Sequence, residues 1–194
     1  MRNWLTLCQA LAEIFYPERA DFTTQTTPGD ERYWDIFDEE PMLLRRDLAN
    51  QIGAMLRPRG KDWFMAKAYP RQLNELDAVR RWCEEASQVM RDVIYAAGTN
   101  FTKAMSQSDN DYVAFGTSIV THTYNRDRTG LVFTCLHPRD CAWEENSDGE
   151  IDVMHERMRL TMQQVVQLGF EIPEQWRERY EKDPLCVSDR ECGS

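Results

Sequence analysis

Nowhere along its 194 positions does the sequence run through about eighteen consecutive apolar residues, which excludes a membrane-spanning helix. Its six cysteines (Cys8, Cys83, Cys135, Cys141, Cys186 and Cys192) form no CxxC pair. With three histidines and nine methionines, that usage fits a reduced, intracellular chain better than a secreted disulfide scaffold. Internal repeats and low-complexity tracts are missing, which excludes a solenoid or a compositionally biased chain. No leader is expected either: Met1-Arg2-Asn3-Trp4 passes straight into an amphipathic pattern holding Gln9 and Glu13. The GxSxG, HExxH, P-loop and GxGxxG patterns are all absent, so no motif argues for acyl transfer, zinc hydrolysis or nucleotide binding. No catalytic, cofactor-binding or metal-binding residue is assigned, and no enzymatic activity or cofactor is expected.

What is present suits a globular fold. Apolar residues make up 42% and charged residues 29%, and the length suits one domain. A chain of this size buries roughly 70% of its unfolded surface, so its core needs no metal or disulfide staple. The net charge of −10 argues against nonspecific duplex binding by the surface as a whole, although local basic patches survive that average.

Trp4, Leu5, Cys8, Leu11, Ala12 and Phe15 recur at helical spacing, and Tyr16-Pro17 ends that helix. Residues 23–30 (TTQTTPGD) read as a mobile loop. A second helix is expected from about Glu39, capped by Asp38 with Pro41 in its first turn. Its apolar stripe reads Leu44, Leu48, Ile52, Met55 and Leu56, and Pro58 and Gly60 stop it. The strongest helix carries Val79, Trp82, Cys83, Ala86, Met90, Val93, Ile94 and Ala97 on one face, with Gly98 a point of kinking before Phe101 and Met105.

From Ser118 the period becomes two. Strands are expected at residues 119–124, 131–136, 141–145 and 151–160, with short turns between them that imply a small antiparallel meander. Thr161 and Gln164 form a capping box, Gly169 stops the helix that follows, and Pro173 starts a short polar one. The order is helices, small antiparallel sheet, helices. That is an α+β fold, read as a single domain over residues 1–182 with a disordered tail at 183–194.

Two constellations invite a metal. Cys135, His137 and Cys141 lie close in sequence, with His122 or His155 on neighbouring strands, but structural zinc usually draws on tighter ligand pairs. These cysteines read as core and the histidine as surface. Asp109, Asp111, Glu144, Glu145 and Asp148 read as turn and solvent-face residues rather than a carboxylate site.

The segment LANQIGAMLRPRGKDWF, residues 48–64, is the most distinctive. Arg57, Arg59 and Lys61 sit where cations complement the negative end of a helix dipole. They also offer charge for phosphate or an acidic partner beside the aromatic pair Trp63-Phe64. These five residues are the candidate subunit or partner contact. Alanine at Trp63 is expected to cost about 3–5 kcal/mol if its ring is buried.

Taken in order, these landmarks resemble the head-to-tail connector, or portal, proteins of short-tailed bacteriophages. The matching residues begin with a Trp-bearing helix from Trp4 to Tyr16-Pro17 and an acidic approach through Asp35 and Asp38. They continue with Leu48-Ala49 to Leu56-Arg57-Pro58, and with Trp63-Phe64. Trp82 then leads to Asn100-Phe101, and Asp111 to Phe115-Gly116-Thr117. Phe133, Pro138, Asp148-Gly149, Ile151-Asp152-Val153, Thr161, Gln164 and Gly169 complete the series.

The resemblance implies a structural role. Such proteins form a ring, commonly of twelve subunits, at one capsid vertex, in the virion and, during assembly, in the host cytoplasm. DNA passes through the ring during packaging and ejection. The partners so implied are other portal subunits, the terminase, scaffold or capsid proteins and the tail adaptor, with no membrane. Family chains are far longer, and their stem and clip come later, so this sequence matches the N-terminal wing portion. The isolated chain is expected to be monomeric or weakly associated. The alternative is a small stand-alone adaptor that binds protein or nucleic acid through Arg57, Arg59 and Lys61.

Overall fold

The computed structural model describes residues 2–24, 38–58, 60–125, 127–158, 160–167 and 169, with 174, 177, 181, 187 and 188. The chain divides into two compact units, Met1–His137 and Pro138–Ser194. Helices and small antiparallel sheets make it α+β, as the sequence predicts.

In the first unit, α1 (Arg2–Phe15) buries Cys8 and Ala12 against Phe22, with Trp4 and Leu5 half-covered beside them. Pro17 lacks the N–H that a further helical turn would need, and the chain tightens into a 3-10 turn, Pro17–Arg19. Gln9 fixes the return: its Oε1 accepts the Phe22 and Thr23 N–H groups at 2.8 and 3.1 Å. Helix α2 (Glu40–Leu56) begins where Asp38 Oδ1 accepts the Glu40 N–H at 2.9 Å, and it ends at Arg57-Pro58, before Gly60 at φ 75°.

Helix α3 (Asp77–Ile94) does not continue through Gly98. The chain breaks there (φ 89°), Asn100 turns left-handed (φ 56°), and α4 starts afresh as Phe101–Phe115. The buried Thr99 hydroxyl secures the break by donating to the Ile94 carbonyl at 2.8 Å.

The strands β1 (Ile119–Tyr124) and β2 (Leu131–Leu136) pair in register, Ile119 opposite Leu136. Asn125 shapes their turn, its Oδ1 accepting the Thr129 and Gly130 N–H groups.

The helix faces differ from expectation. Leu44, Leu48, Met55 and Leu56 of α2 are exposed, and the helix instead buries Arg45 and Ala49. On α3 the buried residues are Cys83 and Ser87, while Trp82, Met90 and Val93 stay exposed. The reason is chemical. Helix α4, which packs on α2, presents Ser108, Asp109 and Asp111 from its buried side, so α2 meets it with an arginine and small residues. Ser87 is buried because its hydroxyl accepts the Ala66 N–H at 2.8 Å and donates to the Cys83 carbonyl at 2.6 Å, pinning the loop from residue 62 onto α3.

In the second unit a 3-10 turn, Pro138–Asp140, leads into β3 (Cys141–Glu145), which pairs with β4 (Ile151–Glu156) through a bulge at Glu144/Glu145. The four expected strands are therefore two hairpins, each a two-stranded sheet of its own. The expected 151–160 strand is shorter, and Leu160–Thr161 forms a separate strand, β5. The capping box forms as predicted: Thr161 N–H donates to Gln164 Oε1 at 2.9 Å, Gln164 N–H returns to Thr161 Oγ1 at 3.3 Å, and α5 (Met162–Gln167) follows. A last strand, β6 (Val187–Ser188), pairs with β5. The rest of the expected tail lies outside the described residues. So do most of the 23–30 loop and, apart from Glu174, Arg177 and Glu181, the short polar helix.

Asp140 ties the base of this hairpin. Its Oδ1 accepts Arg157 Nη2 at 2.8 Å and Nε at 3.2 Å, and its Oδ2 accepts Arg139 Nε at 3.1 Å. Burial pushes the carboxyl up, but the two guanidinium groups outweigh it and hold the pKa below the ordinary 3.8. A depressed folded-state pKa gives stability that is present above the unfolded value and lost as pH falls through the folded one. Chemical melts across an acid series are expected to show wild type above Asp140→Asn at neutral pH, with the difference vanishing below the carboxylate range.

Candidate functional site

Three consecutive residues of α4 each receive an arginine from a different place in the first unit. Asp109 is paired with Arg57, just past the end of α2. Asn110 Oδ1 accepts Arg45 Nη1 at 2.6 Å. Asp111 Oδ2 accepts Arg19 Nη2 at 2.8 Å. At 100° per residue, positions 109 to 111 fan across most of one helix face, so each can point at a separate neighbour. The clasp joins α4 to the turn after α1 and to both ends of α2. Sequence reading placed Asp109 and Asp111 on turns or solvent. They are in fact buried, Asp111 completely, because each has an arginine to neutralise it. The available signals were the run Asp109-Asn110-Asp111 inside a helix and three arginines spaced widely along the chain.

Burial pushes the Asp111 carboxyl up, and the Arg19 guanidinium pulls against it. The Cys135 thiol donates to Asp111 Oδ2 at 3.4 Å. Burial, then the Asp111 charge, pushes that thiol up to about 12, so it acts as a donor rather than a thiolate. The Arg45 guanidinium lies 3.7 Å over the Tyr16 ring, a cation–π contact that further fixes α2 on the first turn region. Gly53 makes room for the clasp: a Cβ there would meet Asp109 Oδ2 at 2.8 Å. His137 Nε2 lies 2.8 Å from Asp21 Oδ1. Among the described residues no three histidine, cysteine, aspartate or glutamate side chains come together in a metal-holding group.

The candidate contact residues divide. Arg57 spends its charge on Asp109 inside the unit. Lys61 is exposed, and Arg59 lies outside the described residues. Trp63 and Phe64 are half-buried and touch edge to face at 4.7 Å. Trp63 stacks toward Phe101 at 6.4 Å and donates its Nε1–H to the Tyr95 hydroxyl at 3.1 Å. Arg91 holds the segment, donating to the Phe64 carbonyl at 3.1 Å and pairing with Asp62 at 3.2 Å. A cavity of about 390 Å³ opens beside the clasp, lined by Gly53, Arg57, Tyr95, Phe101, Met105 and Asp109 among others.

A half-buried indole contributes less than a buried one. Trp63→Ala is accordingly expected to cost about 2 kcal/mol in denaturant melts, below the 3–5 kcal/mol of a fully enclosed ring.

Comparison with known proteins agrees with the order of landmarks. The chain matches the family described as bacteriophage head to tail connecting protein over residues 1–191. It is also 22% identical over 167 residues to a probable portal protein of Bordetella phage BPP-1, covering 84% of this chain and 29% of that relative. The chain thus spans under a third of the length of the curated relative it matches.

Proposed function

The chain belongs to the bacteriophage head to tail connecting proteins, and from that membership we propose that it is a structural part of a phage portal. It would build the N-terminal wing of the ring through which DNA is packaged and ejected. The observation that carries this is the extent of the family match, which runs through both compact units rather than resting on one motif. That continuity also supports reading residues 1–182 as one wing-like domain.

A wing must be stiff, and the arginine clasp on α4 supplies stiffness by fixing α1 and α2 to one helix through charge-assisted bonds. The net charge of −10 suits a conduit wall, since a surface that attracts phosphate would slow passing DNA. The partners are neighbouring portal subunits and, in the complete assembly, the terminase, capsid or scaffold proteins and the tail adaptor. The site of action is the virion, after assembly in the host cytoplasm. Lys61, Trp63 and Phe64 form an edge for such a neighbour, with Arg57 serving the fold beneath them.

Interrupting the gene in the genome that encodes the chain tests this. The expected result is capsids without packaged DNA or tails, rescued when the gene is supplied in trans. Normal yields of filled, infectious particles would overturn the proposal.

A further inference from the structure

We infer that the end of α2, the turn after it and the first turns of α4 form a two-lobed cleft that binds a short acidic segment of a partner protein. An aliphatic side chain of that segment enters one lobe, and a carboxylate meets Lys61 in the other. The inference goes beyond the portal reading and does not depend on it.

The lobes are two cavities of the first unit, of about 390 and 320 Å³. Tyr95 and Thr102 line both and form the rim between them. The larger lobe exists because α2 turns Ala49, Gly53 and Ala54 toward it at helical spacing, where longer side chains would close the space against α4. Phe101 and Met105 supply the opposite wall. A concave lobe built from alanine, glycine, phenylalanine and methionine suits an aliphatic side chain. The smaller lobe has a different chemistry, being lined by Lys61, Arg91 and the Trp63 indole.

Charge sets the other half of the ligand. Arg57 reaches the larger lobe, but Asp109 matches it, and Arg91 is matched by Asp62 at 3.2 Å. Lys61 is exposed and has no ion pair among the described residues. The balance is one positive charge. That fits a single carboxylate better than a phosphate monoester, which carries about two negative charges at neutral pH. A lone exposed lysine is ordinary; this one lines a formed cavity in a chain whose net charge is −10.

The rim is also held in place before any ligand arrives. Trp63 Nε1–H donates to the Tyr95 hydroxyl at 3.1 Å, and both rings contact Phe101. Having accepted that bond, the Tyr95 hydroxyl keeps its own proton to donate to a ligand. A site fixed in this way loses less freedom on binding than one that must order itself.

NMR titration of the whole chain tests the cleft. The probes are three blocked peptides, acetyl-glutamyl-leucine amide and its relatives with one or two glycines between the two residues, together with their glutamine counterparts. With at least one glutamyl peptide, the backbone N–H groups of Gly53, Lys61 and Thr102 and the Trp63 indole N–H are expected to shift, with a dissociation constant of about a millimolar. The glutamine counterpart should bind about tenfold more weakly, since it lacks the charge-assisted bond. Lys61→Met should lower the glutamyl peptide to the level of its glutamine counterpart and leave the latter unchanged, whereas Ala54→Leu should abolish both. Both positions are exposed, and circular dichroism melts check that the variants fold. If Ala54→Leu disturbs folding, Ser106→Leu, on the α4 side of the same lobe, takes its place. No shift with any peptide at about 10 mM, well above a millimolar dissociation constant, overturns the inference. So does equal binding of the glutamyl and glutamine peptides, or tighter binding of adenosine monophosphate at the same resonances. Each of these results leaves the portal role standing, because that role is carried by the family match.

Discussion

Replacing Asp111 by alanine is expected to lower the unfolding free energy by about 3–5 kcal/mol, the usual cost of removing one partner of a buried ion pair. Asp111 is fully buried on α4, and its partner Arg19 is mostly covered. Without the carboxylate, Arg19 keeps a desolvated charge facing the Cys135 sulfur at 3.9 Å, with no counterion. The loss therefore exceeds that of the hydrogen bond alone. A companion variant separates charge from shape: Arg19→Met with Asp111→Leu removes both charges and should recover much of the loss. Urea melts of the single and paired variants measure this directly. A loss below about 1 kcal/mol for Asp111→Ala would mean that the pair contributes little beyond its own desolvation.

Phe101→Ala should be comparably severe, again about 3–5 kcal/mol. Phe101 is buried at the first turn of α4 and is the hub of an aromatic group, with Phe133 at 5.0 Å, Tyr95 at 5.2 Å and Trp63 at 6.4 Å between ring centroids. Truncation leaves a cavity bordered by three rings and removes edge-to-face contacts worth about 0.5–1.5 kcal/mol each. It also loosens the junction where β2 meets the start of α4, held by the Phe133 N–H donating to the Thr99 carbonyl at 2.8 Å. Phe101→Leu should lose clearly less, since it refills most of the space. Equal losses for the two variants would show that the ring's shape, rather than the filled volume, is what matters.

The element boundaries were legible because they depend on local chemistry. Pro17, Pro58, Gly60 and Gly98 end or break helices through backbone geometry. The Thr161–Gln164 box needs only its own two side chains. The α+β class followed from those boundaries.

The interior of the first unit was not legible. Periodicity sorts residues by polarity and assumes that the apolar face is the buried one. On α2 that assumption inverts, because α4 offers the Asp109 carboxylate and the Asn110 amide oxygen to Arg57 and Arg45, with small residues opposite; on α3 it fails because Ser87 is buried to hold the Ala66 N–H. Leu44, Leu48 and Trp82 are then left exposed. The Arg57 turn shows the same reversal: a cation read as cap or contact is the partner of a buried aspartate 52 positions away. No local pattern announces such a pairing.

The central claim is that this chain forms part of the ring at the head–tail junction. Immunogold electron microscopy of particles assembled from the encoding genome, with an antibody raised against the chain, tests it most directly. The account predicts label at a single vertex of each capsid, in tailed particles at the point where the tail joins. Label spread over the capsid shell, or particles that carry none, would contradict it.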